Sequence, residues 1–263
     1  MSRLTFREKS DICWQRQLRD SYSVEGSPPI KNLSLSQSII KPISRKLAEQ
    51  IILKYEWLGT MGAGVQRCYG IFWQVYCAGA TALANAGAVP ALMKTFGLSS
   101  TELSYLVRGA CTHWAPSGTN SRLVAWTCKL ERLAGFKLIV AFADTDAGEI
   151  GTIYQACNWA YIGMSSSWFQ WVSPLGKIWS SNSATKRRST QGGTMKDQEQ
   201  LLVNAGWHKQ WSNPKHRYVY VLDKTDKLLI DKVESMRKPY PKRASVVEKH
   251  NASPTSEEVA VQT

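Results

Sequence analysis

Apolar and polar positions follow two rhythms along this chain, and the changes between them predict its elements. Pro42 and then Ser44, a natural N-cap, open a helix in which Leu47, Ile51 and Tyr55 recur at every fourth position, with Ile52 alongside. It is expected to end near Trp57 to Gly59, with Gly62 and Gly64 in the loop beyond. Residues 67–78, RCYGIFWQVYCA, are rich in aromatic and β-branched groups and read as a strand or hairpin. Residues 79–100 are small and show no clear period, so they receive no assignment. Residues 1–40 are mixed around a Gly26-Ser27-Pro28-Pro29 break.

The middle of the chain is more regular. Leu103 to Cys111 predicts a strand, and residues 113–120, with Pro116, Ser117, Gly118 and Asn120, predict a loop. Ser121 to Leu133 predicts an amphipathic helix with Leu123, Trp126, Leu130 and Leu133 on one side and Gly135 as its stop. Phe136 to Phe142 is almost continuously apolar, as a strand covered on both faces would be. Strand, loop, helix and strand in that order form a βαβ unit with parallel strands. An aromatic strand region follows at Trp168, Phe169 and Trp171. Then come a polar stretch, 179–194, expected to be an exposed loop, a helix over 196–205 stopped by Gly206, and a strand from Lys215 to Leu222 with a basic entrance. Beyond residue 232 the chain turns charged and proline-bearing, and a disordered tail is expected. The resulting division is an extension over 1–40, one α/β domain with a mixed sheet over 41–231, and a tail over 232–263.

Composition adds a partner. The chain has 263 residues and a formal net charge of +13, which points to a polyanion, nucleic acid first. Its eleven tryptophans suit cores, interfaces and stacked ligands alike. The six cysteines lack CxxC spacing and form no cysteine–histidine cluster, so free thiols in a reducing compartment are expected. The first eleven residues are charged throughout, unlike a secretory signal. No apolar run approaches the roughly 20 residues needed to span a bilayer, so no membrane partner is expected.

Candidate chemistry gathers where the inner strand ends. Asp144 follows that strand, Asp146 and Gly148 turn the chain, and Tyr154 lies in the short helix that follows. A carboxylate at a strand's C-terminal tip and a phenol one helix later are parts of an acid–base site, placed where open α/β sheets bind ligands. The Asp could take or orient an amine proton, and the Tyr could protonate a leaving group. Each also has a plainer use, as turn former and as packing. The loop 116–121 precedes the central helix. Its Thr119, Asn120, Ser121 and Arg122 are candidates to hold a donor's phosphates, through hydroxyls, charge and the free N–H groups of a helix start. Tyr55 and Trp57 are candidates to contact a base, with Glu56 to bond an amino edge, although an ordinary helix terminus reads the same. His113 lies near the phosphate loop. Lys186, Arg187 and Arg188, and Lys215 and Arg217, are candidate DNA contacts, as is the basic run from Lys238 to Arg243.

Two motifs are excluded. Ser27-Pro28-Pro29-Ile30 has Ile where an amino-group methyltransferase places a stacking ring, and no strand precedes it. Gly62-Ala63-Gly64 lacks the third glycine and the strand-to-helix context of a dinucleotide loop.

The run Gly151-Thr152-Ile153-Tyr154-Gln155-Ala156, then Asn158-Trp159, Tyr161 and Gly163, preceded by Asp144 and Gly148, resembles the Mom family of phage DNA modification proteins. Lys54-Tyr55 with Gly59, Tyr69-Gly70-Ile71, Asn120-Ser121 and the Lys215 to Tyr220 strand agree with it in order, so the resemblance spans residues 44–223. It implies a GCN5-related acyltransferase-like fold whose cofactor core is the βαβ unit. It also implies an enzyme that converts adenine in DNA to N6-carbamoylmethyladenine in the host cytoplasm, which protects phage DNA from restriction. Asp144 and Tyr154, with Tyr55, would be catalytic. The substrate would be double-stranded DNA with the adenine extruded, and the candidate assembly a homodimer. The donor is acetyl-CoA or an aminoacyl donor such as glycyl-tRNA, since a simple acetyl thioester does not directly give an amide-bearing product. Iron is a candidate cofactor, with its ligands unassigned. The chain departs from the acyltransferase pattern in lacking an Arg/Gln-x-x-Gly-x-Gly/Ala loop, which Pro116 to Ser121 would replace. It also has Glu56 where family members tend to carry His. Two other readings fit less well: an acyltransferase of this fold acting on a protein or small amine, and a noncatalytic phage DNA-binding protein.

Overall fold

A computed structural model describes residue 28 and residues 32–62, 64–85, 89–175, 178–180 and 194–242. It confirms a mixed α/β chain with a central βαβ unit. Strand β1 (Ile39–Pro42) leads to helix α1 (Arg45–Tyr55), capped by the Ser44 hydroxyl, which accepts the Leu47 N–H. Strands β2 (Val65–Trp73) and β3 (Tyr76–Asn85) form a hairpin, followed by the short helix α2 (Pro90–Phe96). Next come β4 (Leu103–Cys111), α3 (Thr119–Leu133), β5 (Leu138–Ala143), α4 (Thr152–Ala156) and β6 (Ala160–Met164). The chain continues through β7 (Phe169–Val172), β8 (Ile178–Ser180), α5 (Met195–Asn204), β9 (His208–Trp211), β10 (His216–Val221) and α6 (Lys227–Met236).

The large sheet has the order β1-β2-β3-β4-β5-β10-β6, and a small sheet has the order β8-β7-β9. All neighbours in both are antiparallel except β4 and β5, which pair in parallel as the βαβ reading requires.

Residues 79–100 gave no period because β3 is buried on both faces. Ala80 and Ala82 pack with α1, while Thr81 hydrogen-bonds Thr127 of α3 at 3.0 Å. Small side chains let both helices approach the strand, and they carry little propensity signal.

Helix α3 turns a different face inward from the one predicted. Leu123, Val124, Thr127, Cys128 and Glu131 are buried, and Leu133 is 71% exposed. The reason is Glu131, whose side chain is fully buried. Arg67 grips it with two nitrogens at 2.9 Å, Tyr69 donates to it at 2.7 Å, and Ser104 at 2.5 Å. Arg67 also donates to Asn85 and lies 4.2 Å over the Phe136 ring. A carboxylate so satisfied behaves as a core residue.

The expected tail from residue 232 is corrected as far as 242. Helix α6, capped by Asp226, buries Leu229 and Val233 against Ile162, Val219 and Val221. Beyond it, Lys238 N–H donates to Tyr161 O, and the Tyr240 hydroxyl donates to Trp159 O at 2.8 Å. Two apolar positions four apart suffice to dock a helix whose other faces are charged. The first described strand, at Ile39, lies close to the expected start of the domain.

Removing Glu131 leaves the Arg67 guanidinium without its counter-charge. Glu131→Ala should cost about 3–5 kcal/mol of stability. The check is the midpoint of urea unfolding at an unchanged slope. A loss under about 1 kcal/mol would mean that this network does not hold α3.

A candidate active site where the central strands part

Strands β4 and β5 pair only from Leu103 opposite Leu138 to Leu106 opposite Ala141. Strand β4 then follows β3 as far as Cys111, whereas β5 follows β10 to Ala143. The two diverge, and a cavity of about 570 Å³ fills the gap, within the range of small-molecule sites. Its walls are Leu106 to Gly109 of β4, Phe142 and Ala143 of β5 with Asp144 just beyond, the start of α3, and residues 149–154.

Asp144 and Tyr154 both line this cavity. Asp144 caps a single 3-10 turn (Thr145–Ala147), one carboxylate oxygen accepting the Asp146 N–H at 3.1 Å and the other meeting Lys215 Nζ at 2.5 Å. Its own N–H donates to Glu149 at 3.0 Å, so the loop closes around it. Asp146, in contrast, is buried beneath the loop and held by Asn213 at 2.6 Å. Tyr154 is clasped between Trp159 and Tyr218, with ring centroids 5.0 and 5.2 Å away. Burial, and then the Glu149 charge, push its phenol well above the usual range, so it keeps its proton.

Two further carboxyls face the same space. Glu149, unassigned by sequence reasoning, is pushed up to about 7, chiefly by loss of solvent, with Glu56 and Asp144 adding repulsion. Glu56 is raised to about 6 by burial, against the pull of Arg108 at 3.9 Å and the Leu58 N–H at 2.8 Å. Both therefore change charge near neutral pH, as acid–base groups must. The one sequence signal for Glu149 is a third acidic residue in a turn that already holds Asp144 and Asp146.

The other predicted residues divide. Trp57, Thr119 and Asn120 line the cavity. Helix α3 starts there at Gly118 (φ +84°) without a side-chain cap; the Thr119 N–H is taken by Pro116 O at 3.2 Å, and the Asn120 and Ser121 N–H groups that follow are the ones left for an anion. The Thr119 hydroxyl is turned back onto Pro116 O at 2.6 Å. Ser121 and Arg122 line a separate cavity of about 520 Å³ with Trp126 and Trp159, and Arg122 donates to Ser38 at 2.7 Å. The rotation of about 100° per residue along the helix turns them away from the main cavity. Tyr55 is buried and does not line the cavity; its hydroxyl lies 3.0 Å from His113 Nδ1, and His113 is the wall. It is therefore placed to position His113. Lys215 is occupied by Asp144, and Arg217 is half-buried with a nitrogen on Ile162 O at 3.3 Å, so neither stands free for DNA phosphate. Lys186, Arg187 and Arg188 lie outside the described residues.

The site does not fit the iron implied by the resemblance. Among the described residues no group of three or more His, Cys, Asp or Glu side chains is placed to hold a metal ion, and both oxygens of Asp144 already have partners. The described cysteines 68, 77, 111, 128 and 157 are free thiols, and among the described residues no helix is long and apolar enough to cross a membrane.

The profile of the Mom protein family matches residues 37–242. No curated protein matches the chain. Among solved structures it is similar to FeeM, an N-acyl amino acid synthase from uncultured soil microbes, at 11% identity and a TM-score of 0.43, covering 76% of this chain and 94% of that one. It is also similar to an IAA acetyltransferase from Bacillus cereus, at 10% identity and 0.38, covering 70% and 99%. A third is yncA, a putative acetyltransferase from Salmonella typhimurium with its cofactor acetyl-CoA, at 8% and 0.40, covering 72% and 95%.

A carboxyl raised by folding binds its proton more tightly in the native state, so its contribution to stability falls as pH rises from 4.5 toward 7. Glu149→Gln keeps an oxygen for the Asp144 N–H and removes that cost. Above pH 7 it should stabilise the protein by about 1–2 kcal/mol, allowing for solvent at the cavity mouth, and the gain should vanish as the pH is lowered. Thermal melts across that range test it; a variant no more stable than the parent at alkaline pH would contradict it.

Proposed function

The chain belongs to the Mom protein family, and from that membership and the cavity we propose that it modifies the exocyclic amine of adenine in DNA by acyl-group transfer. The observation that carries the reading is the meeting of Asp144, Glu149 and Tyr154 with an uncapped helix start on one cavity. The setting is the cytoplasm of an infected host, and the product is the family's carbamoylmethyl mark, a shield against restriction.

Adenine's amine is a weak nucleophile because its lone pair is shared with the ring. The base must leave the duplex, at a cost of a few kcal/mol, and enter a site that holds the donor in line. Trp57 in the cavity wall offers a face on which the base can stack, and Glu56 an acceptor for its amino edge. The start of α3 binds the donor's phosphates. Beyond Leu106 the β4 edge facing the cavity has no β5 partner, so its backbone can pair with an extended amide-bearing arm.

Transfer forms a bond from adenine nitrogen to the donor's carbonyl carbon and breaks that carbon's bond to the leaving sulfur or oxygen. Glu149, ionised above about 7, takes the proton lost by nitrogen. Tyr154 gives a proton to the leaving group and is restored from solvent. Asp144, held by Lys215, orients the amine. A glycyl group and a carbamoylmethyl group contain the same atoms. A glycyl ester such as glycyl-tRNA therefore supplies the whole mark. After transfer the glycyl amine attacks adenine C6 and loses a proton. The bond from C6 to the original amino nitrogen breaks, so that this nitrogen takes up a proton and becomes the terminal amide. An acetyl thioester lacks the second nitrogen.

DNA from cells expressing the protein should yield, on digestion, an adenosine heavier by one carbamoylmethyl group. Glu149→Gln and Tyr154→Phe should each reduce its formation by about 10²-fold or more, and Asp144→Ala likewise, in folded protein. The rate should climb with pH through about 7 in the parent and lose that rise in Glu149→Gln. Unaltered nucleosides from a folded, expressed parent would transfer the site to some other amine.

A further inference from the structure

The small sheet β8-β7-β9 carries two exposed tryptophans at the end from which residues 212–215 lead to Lys215 in the cavity wall. Trp168 is 60% exposed and Trp211 is 69% exposed. Phe169 joins them: the Trp168 ring lies nearly parallel to it (10°) and the Trp211 ring nearly perpendicular (78°), each with centroids 6.2 Å away. The backbone beneath is locked, since the Ser212 N–H and hydroxyl both donate to Trp168 O, at 2.7 and 2.8 Å.

The same segment runs directly into the catalytic loop. Pro214 O accepts from Thr145, Asn213 donates to Asp146, and Lys215 N–H donates to Ser165 at 2.9 Å while its Nζ meets Asp144. From Trp211 to Lys215 is at most about 14 Å of extended chain, or roughly four base steps of a DNA strand.

We infer that Trp168 and Trp211 form a stacking platform for nucleotides flanking the adenine held in the cavity. The reading rests on DNA being the substrate of that cavity. Stacking on aromatic faces tolerates any base and suits a strand locally unstacked by extrusion. The patch suits nucleic acid better than protein. The residues flanking the indoles in sequence, Ser165 to Ser167, Gln210, Ser212 and Asn213, are polar, and Lys209 Nζ lies 4.9 Å over the Phe169 ring, so aromatic faces and positive charge come together. The chain's net charge of +13 supplies the attraction for a polyanion.

The test uses the full chain, the double variant Trp168→Ala/Trp211→Ala, and Trp168→Phe/Trp211→Phe, with fluorescein-labelled duplex and single-stranded DNA titrated at several salt concentrations. The alanine pair should weaken binding about tenfold or more, with the salt slope unchanged because phosphate contacts remain. The phenylalanine pair, which keeps two ring faces, should stay within about threefold of the parent. Parental affinity in the alanine pair, or no DNA binding by the parent, would overturn the platform. So would a change of oligomeric state in the alanine pair with DNA affinity intact, which would assign the patch to a protein partner. The two readings separate in the same samples. Tryptophan-dependent binding with unmodified nucleosides ends the proposed reaction and keeps the platform. Modified adenosine with tryptophan-independent binding does the reverse.

Discussion

The parallel ladder between β4 and β5 stops at Leu106 and Ala141, and everything at the candidate site depends on that early stop. A continued ladder would close the cavity and satisfy the β4 edge with protein. Two commitments keep the strands apart. Strand β4 stays paired with β3 as far as Cys111, and β5 stays paired with β10 as far as Ala143, so each strand is fixed by its outer neighbour when it leaves the inner one. Helix α3 spans the divergence. Its far end is fixed by Glu131 within the Arg67, Tyr69 and Ser104 network, which draws on β2 and β4. Its near end is thereby held, uncapped, at the mouth.

Such a cavity collects charge at a cost. Glu56, Asp144 and Glu149 are carboxyls sharing one desolvated space, and the cations set against them, Arg108 and Lys215, do not fully offset the loss of water. The result is that Glu56 and Glu149 are poised near neutrality. A merely structural loop would gain stability by replacing Glu149 with a neutral side chain. Retaining a group that folding disfavours is a pattern common to sites that must exchange protons at ordinary pH.

Much of this architecture was legible in the sequence wherever one physical effect dominated. The Ser44 cap, the apolar run from Phe136 to Phe142 and the strand from Leu103 to Cys111 each reflect a local rule, and together they give the parallel unit. What stayed hidden depended on partners distant in sequence. Glu131 looks like a surface residue until Arg67, 64 positions away, neutralises it, so of the face expected inward, Leu123, Trp126, Leu130 and Leu133, Leu123 is buried and Leu133 faces solvent. Ser121 and Arg122 follow Asn120 directly, yet the rotation of about 100° per residue along α3 carries them to another cavity. Tyr55 was placed near the site, but His113, 58 positions away, stands between it and the cavity. Residues 232–242 read as a tail because their anchors, Tyr161 and Trp159, belong to a different part of the chain.

The run that carried the family resemblance serves two purposes, and the geometry separates them. Gly151 has φ +71°, and a Cβ there would lie 2.2 Å from the Tyr218 ring, so only glycine fits between helix α4 and strand β10. Gln155 fills the same joint, donating to Ile150 O, the Tyr218 hydroxyl and Pro241 O. Trp159 and Tyr218 then clasp Tyr154 from two sides. Within this run and the turn before it, Asp144, Glu149 and Tyr154 bring reactive atoms to the cavity, while Gly151, Gln155 and Trp159 set the angle at which the phenol enters it. A recognisable motif of this kind records the geometry of a joint as much as a set of reagents. The glycine and glutamine are as specific a signature of the site as the aspartate they never touch.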